Sequence, residues 1–150
     1  MSGNNSGRHP FLDDLTEDAV LSSTLLRQPV SGRERIKSVI AAVGALYQTQ
    51  TPTFLGVVDN RTLLQYDAVL VDGIAIRGVA VIQRDEGGEV PRVSVTFEPL
   101  DAAMHLSRRL DPVLREEIGD GFFCPERVTS SITAWLPDMN LVFYQQESQR

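Results

Sequence analysis

Three apolar-rich runs, joined by two turn signals, lie between residues 64 and 97. The runs cover residues 64–71, 74–84 and 90–97, and the turns are Asp72-Gly73 and the segment 85–88. Asp-Gly and Gly-Gly pairs adopt the backbone that tight hairpins need. No connection between the runs is long enough to hold a helix. The pattern therefore predicts an antiparallel meander at the centre of the chain.

The outer two runs of this meander differ in how apolar residues alternate. In the third run, Val93, Val95 and Phe97 share one face, and the opposite face is polar. The first run is apolar on both faces. One face holds Leu64, Tyr66, Ala68 and Leu70, and the other holds Gln65, Asp67, Val69 and Val71. We expect material to cover both faces of this strand.

Helical spacing of apolar residues marks two other segments. Residues 31–48 read as a long helix, with Ser31 and Glu34 at capping-box spacing. A strand is predicted over 53–59. A second helix starts at Pro99, and Asp111-Pro112 reads as the cap and first residue of a shorter continuation. Between residues 11 and 20 the spacing predicts a short helix, or a helix followed by an extended segment.

The two ends of the chain differ in composition. Residues 1–8 are rich in Gly, Asn and Ser, so we expect them to be disordered and to form no signal peptide. Residues 122–150 are aromatic, with Trp135 and a run at 141–144. We predict one domain over 9–118 and a C-terminal extension over 119–150. The extension should pack as strand or turn structure on its own subunit or on a neighbouring one.

Charge and cysteine content narrow the class of protein. A net charge of −6 and an isoelectric point near 4.8 disfavour binding to nucleic acid, which takes a basic surface. The single cysteine, Cys124, excludes an internal disulfide framework and suggests either a reducing compartment or a thiol without a special role. No run approaches the roughly 18 consecutive apolar residues of a membrane span. We therefore expect a soluble cytoplasmic protein without a membrane partner.

Several stretches between His9 and Leu110 resemble a known family. They are the acidic opening that ends in Ala19-Val20, the segment 29–34 before the first helix, Val71-Asp72-Gly73, the strand 76–81, Gly87-Gly88, and Pro99-Leu100. Together they resemble the SnoaL-like branch of the nuclear transport factor 2-like superfamily. The resemblance implies an α+β, cystatin-like fold, in which a curved antiparallel sheet wraps around helices to form a cone with an apolar cavity. Residues 111–150 lie outside it.

The family includes ketosteroid isomerases, polyketide cyclases and epoxide hydrolases, together with many binding or uncharacterised members. Isomerase-like members use a carboxylate as the base. They also use a second carboxylic acid, whose raised pKa keeps it protonated so that it can donate a hydrogen bond. Counting from Gly32 and from Gly87-Gly88, these positions fall on Ser23 and Ala80. Neither is a carboxylate, so isomerase chemistry by that route is not expected.

The resemblance also implies which residues line the cavity. They are Gln65, Asp67, Val69, Ala80, Ile82, Val93, Val95 and Phe97. Asp67 is the catalytic candidate, because a carboxylate in an apolar cavity has the raised pKa of a general acid or base. The alternative is that Asp67 faces solvent or pairs with Arg77 or Arg84. Tyr47, Tyr66, Phe54 and Phe97 are expected in the core or in the cavity wall.

Other candidate chemistry is weak. His9 and His105 are the two histidines, and with one cysteine they form no metal-ligand cluster. We expect His105 at a helix boundary or surface, and Cys124 as a small buried side chain. Gly87-Gly88 joins two strands and opens no helix, so it is not a phosphate loop. No cofactor and no metal are predicted.

Three functions remain open. The first is binding of a small apolar molecule in the cone. The second is an isomerase, cyclase or hydrolase type enzyme that uses Asp67 with Gln65 or Tyr66. The third is a homodimeric or scaffold module that pairs sheet to sheet, which is compatible with either of the others. The pairing surface predicted for it combines the face of Leu64, Tyr66, Ala68 and Leu70 with the positions Val79 and Val81.

Overall fold

The computed structural model describes residues 10–125, and the structural statements below concern that range. A short 3₁₀ helix at Pro10–Asp14 opens it. The strands are β1 (Leu15–Ser23), β2 (Val30–Ser31), β3 (Tyr47–Val58), β4 (Arg61–Leu70), β5 (Ala75–Gln83) and β6 (Val90–Glu98), and the helices are α1 (Arg33–Ala45) and α2 (Leu100–Ile118).

All six strands form one curved sheet in the order β2-β1-β6-β5-β4-β3. The predicted meander is confirmed as β4-β5-β6, and its turns contain Gly73 and Gly88, both with positive φ. One strand pair departs from the predicted antiparallel sheet, because β1 runs parallel to β6. This pair joins strands far apart in sequence, so no local turn signal announces it.

The first helix begins later and ends earlier than predicted. Ser31 still belongs to β2, where it pairs with Val20, so it does not cap the helix. Gly32, with φ of 107°, turns the chain into α1. The helix ends at Ala45, and β3 starts at Tyr47 rather than at residue 53. The capping-box prediction was therefore wrong, because sheet pairing held Ser31 in an extended conformation.

The second helix is continuous, and the predicted break at Asp111-Pro112 does not occur. Leu106 and Leu110 on one side of Pro112, and Leu114 and Ile118 on the other, are all buried in the same core. Proline removes one helical hydrogen bond and crowds the preceding turn. Burial on both sides of it keeps the helix intact.

Both helices pack on the inner face of the sheet, where their apolar side chains join one core. Phe123, which lies in the predicted C-terminal extension, belongs to this core. No helix within residues 10–125 is long and apolar enough to cross a membrane. His9, Trp135 and residues 141–144 lie outside the described part of the chain.

Candidate functional site

The pairing of β4, β5 and β6 fixes which side chains share a face of the sheet. Paired residues in adjacent antiparallel strands project to the same side. Tyr66 pairs with Gly78, which pairs with Phe97, and all three are buried. Asp67 pairs with Arg77, which pairs with Glu98, and all three are exposed. The inner face therefore carries Tyr66, and the outer face carries Asp67.

This arrangement corrects the predicted cavity lining. Gln65, Asp67 and Val69 lie on the outer face, so the prediction that they point into the cone was wrong. Ala80, Ile82, Val93, Val95 and Phe97 do lie on the inner face. Only Val95 and Phe97 among the eight predicted residues line the inner cavity. The error is a shift of one residue in β4, which exchanges the two faces of a strand.

Asp67 lies in an ion-paired cluster on the outer face. Its side chain is 55% exposed, and its carboxylate accepts a hydrogen bond of 3.0 Å from Arg77 Nε. Arg77 Nη1 donates a second bond to Glu98 at 3.3 Å. The Asp67 hydrogen bond raises the pKa of the Arg77 guanidinium. The alternative pairing with Arg77 is thus confirmed, and the apolar surroundings that a general acid or base requires are absent.

The inner cavity lies between α1, the sheet and the loop after β1, with a volume of about 50 Å³. It is lined mainly by apolar side chains: Leu21, Leu25, Leu26, Val39, Ile40, Val43, Val95 and Phe97. Ser23, Tyr47 and Tyr66 supply its polar atoms, and Gly44 completes the wall. No charged residue lines it within the described range. Ser23 here occupies the position that the family resemblance assigned to a carboxylate base.

Two tyrosines form the main polar group of this cavity. The hydroxyls of Tyr47 and Tyr66 are 2.9 Å apart and share a hydrogen bond. Their rings meet edge to face, with centroids 6.0 Å apart and planes inclined by 64°. Tyr47 starts β3 and Tyr66 lies in β4, so the long hairpin brings them together. The predicted place of both tyrosines in the core or cavity wall is confirmed.

Gly78 gives Tyr66 the room for this position. A methyl group at Gly78 would lie 2.5 Å from Tyr66 Cζ and 2.6 Å from its hydroxyl oxygen, closer than any real contact. The tyrosine ring therefore lies across β5 at the one place where the strand has no side chain. An aromatic side chain that covers a glycine on the next strand is a known stabilising pair. Gly78 is a positioning residue for the Tyr66 hydroxyl.

The tyrosine pair stays protonated at neutral pH. Burial raises the pKa of Tyr66, although its hydrogen bond with Tyr47 opposes the rise. Burial raises the pKa of Tyr47 as well, and the neighbouring Tyr66 adds to the effect. Two hydroxyls have two protons, and their mutual hydrogen bond uses one. The pair can therefore donate one further hydrogen bond to a carbonyl or hydroxyl oxygen in the cavity.

A larger groove, of about 640 Å³, lies on the outer face of the sheet. Thr49, Thr51, Asp67, Val69, Arg77 and Glu98 line it. Arg77 is the one cation among its described lining residues, and it is already paired with two carboxylates. Exposed ion pairs of this kind add little to stability.

Two other residues that were considered for chemistry, His105 and Cys124, make structural contacts. His105 lies on α2 with its side chain 34% exposed, and its Nε2 is 2.6 Å from Asp72 Oδ2 in the β4-β5 turn. This hydrogen bond lowers the pKa of Asp72. Cys124 is half-buried, and its backbone N–H donates to Ser107 Oγ. His105 thus ties the β4-β5 turn to α2, and Cys124 ties the end of the described chain to α2.

No protein-family model matches the sequence, and no curated protein matches it either. Solved structures do match. An uncharacterised bacterial protein with a cystatin-like fold from Silicibacter pomeroyi has a TM-score of 0.66 at 16% identity, over 75% of this chain and 91% of the other. A steroid delta-isomerase from Pseudomonas aeruginosa has a TM-score of 0.64 at 17% identity, over 70% and 77%.

A protein assigned to the SnoaL-like polyketide cyclases, from Jannaschia, has a TM-score of 0.52 at 14% identity, over 65% of this chain and 76% of the other. At such identities the likenesses establish the fold. The chain has the α+β fold of the cystatin-like, nuclear transport factor 2-like proteins, including SnoaL-like members, as its sequence predicted. These folds hold isomerases, cyclases and proteins of unknown function, so the chemistry must be argued from this chain's own residues.

Proposed function

We propose that this protein binds a small, mainly apolar molecule in the inner cavity of the cone. The Tyr47–Tyr66 hydroxyl pair would donate a hydrogen bond to one carbonyl or hydroxyl oxygen of that molecule. The proposal rests on this pair, whose part-buried hydroxyls are 2.9 Å apart in a cavity that is lined mainly by apolar side chains. A few convergent polar atoms in an apolar cavity are typical of ligand sites.

The cavity volume limits the size of the ligand. A buried water molecule needs roughly 10–15 Å³ on this measure, so about 50 Å³ holds the equivalent of a few waters. Drug-sized ligands use sites of about 300–1,000 Å³. The ligand that fits without rearrangement is therefore a compact molecule of few heavy atoms. Gly44 lies at the exposed end of α1, and no atom lies within 4 Å of where its side chain would be, which leaves this wall open for entry.

The test is an NMR titration of the ¹⁵N-labelled protein with acetone and, in parallel, with isobutene. Both probes have four heavy atoms and the same branched shape, and the carbonyl oxygen of acetone is a CH₂ group in isobutene. We expect shifts at residues around the inner cavity with both, and tighter binding of the ketone. Tyr66→Phe should weaken ketone binding roughly 2- to 10-fold, the value of one hydrogen bond, and leave isobutene binding unchanged.

Gln65→Ala is the matched control, because Gln65 adjoins Tyr66 in β4 but lies on the outer face. It should leave both affinities unchanged. Absence of shifts at the cavity would refute the proposal, and so would a Tyr66→Phe variant that binds both probes as well as the original protein does.

The predicted homodimer remains a prediction, but one part of its predicted surface was wrong, namely the face of Leu64, Tyr66, Ala68 and Leu70. Tyr66, Ala68 and Leu70 are buried in the core of the same chain. Any pairing through the sheet would have to use the outer face, where Val79 and Val81 are half-buried. Sedimentation equilibrium at micromolar concentration measures the oligomeric state, and a monomer would contradict the dimer.

A further inference from the structure

The strand β3 leaves an apolar strip uncovered on the inner face of the sheet. Four of its large apolar side chains are strongly exposed: Phe54 at 52%, Leu55 at 70%, Val57 at 69% and Val58 at 74%. By their pairing with β4, Leu55 and Val57 belong to the inner face. That is the face which the helices cover elsewhere.

Two rows of paired residues show where this cover ends. In one row, Val93 is 2% exposed, Ile82 is 5% exposed, Thr62 is half-buried and Val57 is 69% exposed. The next row runs through Val95, Ala80 and Leu64 to Leu55, and its last member is again the exposed one. Within residues 10–125, the apolar inner surface thus continues past the edge of the layer packed on it.

We propose that residues 126–150 of the same chain pack on this strip, with Trp135 and the aromatic run 141–144 over Leu55 and Val57. An uncovered apolar surface beside a core is a docking surface. The strip is about one strand wide, which fits an extended segment better than the broad surface of a second copy. The composition of the segment suits an apolar surface, because residues 128–137 carry no charge and include Ile132, Trp135 and Leu136.

The point where the described chain ends places this segment within reach. Phe122 O accepts a hydrogen bond from Arg27 N, and Cys124 N donates to Ser107 Oγ, whose hydroxyl donates to Leu25 O. Arg27 and Leu25 belong to the loop after β1, and this loop is bonded to β6 by the hydrogen bond from Phe97 N to Thr24 Oγ1. The chain therefore leaves beside β6, three strands from β3 in the sheet order.

Three strand spacings are about 14 Å. The offset along the strands, from the level of Phe97 to that of Val93 and Val57, adds four residues, or about 13 Å. An extended chain covers about 3.3 Å per residue, so six or seven residues suffice for the roughly 20 Å path. Trp135 is the tenth residue after Pro125. It can reach β3 without any rearrangement of the described fold.

The test uses the fluorescence of Trp135, the only tryptophan of the chain, in the full-length protein. We expect blue-shifted emission and protection from acrylamide. Val57→Glu should shift the emission to that of tryptophan in water and remove the protection. Val113→Glu is the matched control, because Val113 is 63% exposed but lies on α2. It should leave the emission unchanged, and circular dichroism should show that both variants remain folded.

A nitroxide label supplies a second measurement that does not depend on weakening the contact. In a Cys124→Ala background, a label on Val57→Cys should quench Trp135 by contact, and a label on Val113→Cys should not. Water-like emission in the original protein, or no quenching from position 57, would overturn the proposal. So would a dimer, detected by sedimentation, that Val57→Glu dissociates without changing Trp135 emission, because a second copy would then be the occupant.

Discussion

Tyr66 and Asp67 are neighbours in β4, yet they differ in every property that bears on function. Tyr66 is 6% exposed, shares a hydrogen bond with Tyr47 and faces an apolar cavity. Asp67 has a side chain that is 55% exposed and is paired with Arg77 on the opposite face. In this fold, the face of the strand on which a side chain lies sets its burial and its partners, and residue type alone does not.

The largest expected effect comes from removing the ring of Tyr66. Tyr66→Ala should lower the free energy of unfolding by about 3–5 kcal/mol, because a buried aromatic side chain is lost and a cavity remains. Urea unfolding measures the change. A loss below about 1 kcal/mol would show that the inner face is not packed as described here.

Gly78→Ala tests whether the tyrosine ring depends on the missing side chain of β5. The added methyl group would lie 2.5 Å from Tyr66 Cζ, so the ring must move. We expect a loss of about 1–3 kcal/mol, as for other overpacked sites. In a Tyr66→Ala background the same change should cost much less, and a double-mutant cycle measures the difference.

Gly44→Ala is the control for this experiment. Gly44 lies in α1, and no atom lies within 4 Å of the position of its added methyl group. The substitution should raise the stability by up to about 1 kcal/mol, the difference in helix propensity. Equal losses from the two glycine variants would contradict a specific role for Gly78.

The raised pKa values of Tyr47 and Tyr66 predict a loss of stability in alkali. An unfolded tyrosine releases its proton near pH 10, whereas the folded pair holds its protons to higher pH. The stabilisation is therefore complete below pH 10 and falls as the pH rises above it. Urea unfolding between about pH 9 and 11 should show this decline, and a Tyr47→Phe, Tyr66→Phe double variant should reduce it. A decline that is unchanged in the double variant would assign it to other groups.

The smallest effect is expected on the outer face. Asp67→Asn removes one exposed ion pair and leaves Arg77 paired with Glu98, so the free energy of unfolding should change by less than about 1 kcal/mol. The same urea titration measures it. A loss comparable to that of Tyr66→Ala would mean that Asp67 is a buried structural residue after all.

Local signals predicted much of the fold. Asp72-Gly73 and Gly87-Gly88 fixed the meander because their turn chemistry is local, and apolar spacing found both helices. The parallel pairing of β1 with β6 was missed because it joins distant segments. Ser31 has the residue type of a cap, but tertiary pairing with Val20 holds it in β2.

The site was predicted less well because β4 carries apolar residues on both faces. Leu63 and Val69 on the outer face and Leu64 and Ala68 on the inner one leave its orientation undetermined by polarity alone. Turn length adds to the difficulty. A two-residue turn at Asp72-Gly73 would pair Tyr66 with Val79, whereas the observed turn covers residues 71–73 and pairs Tyr66 with Gly78. This one-residue difference exchanges the two faces of β4. The contact of Tyr66 with Tyr47 had no local signal either, since it depends on how β3 pairs with β4.

A crystal structure of the protein soaked with acetone is the sharpest test of the proposed site. We expect the ketone in the inner cavity, with its oxygen about 2.5–3.0 Å from the hydroxyl of Tyr47 or Tyr66. A ketone bound instead in the outer groove beside Asp67 and Arg77, with the inner cavity unchanged, would contradict it.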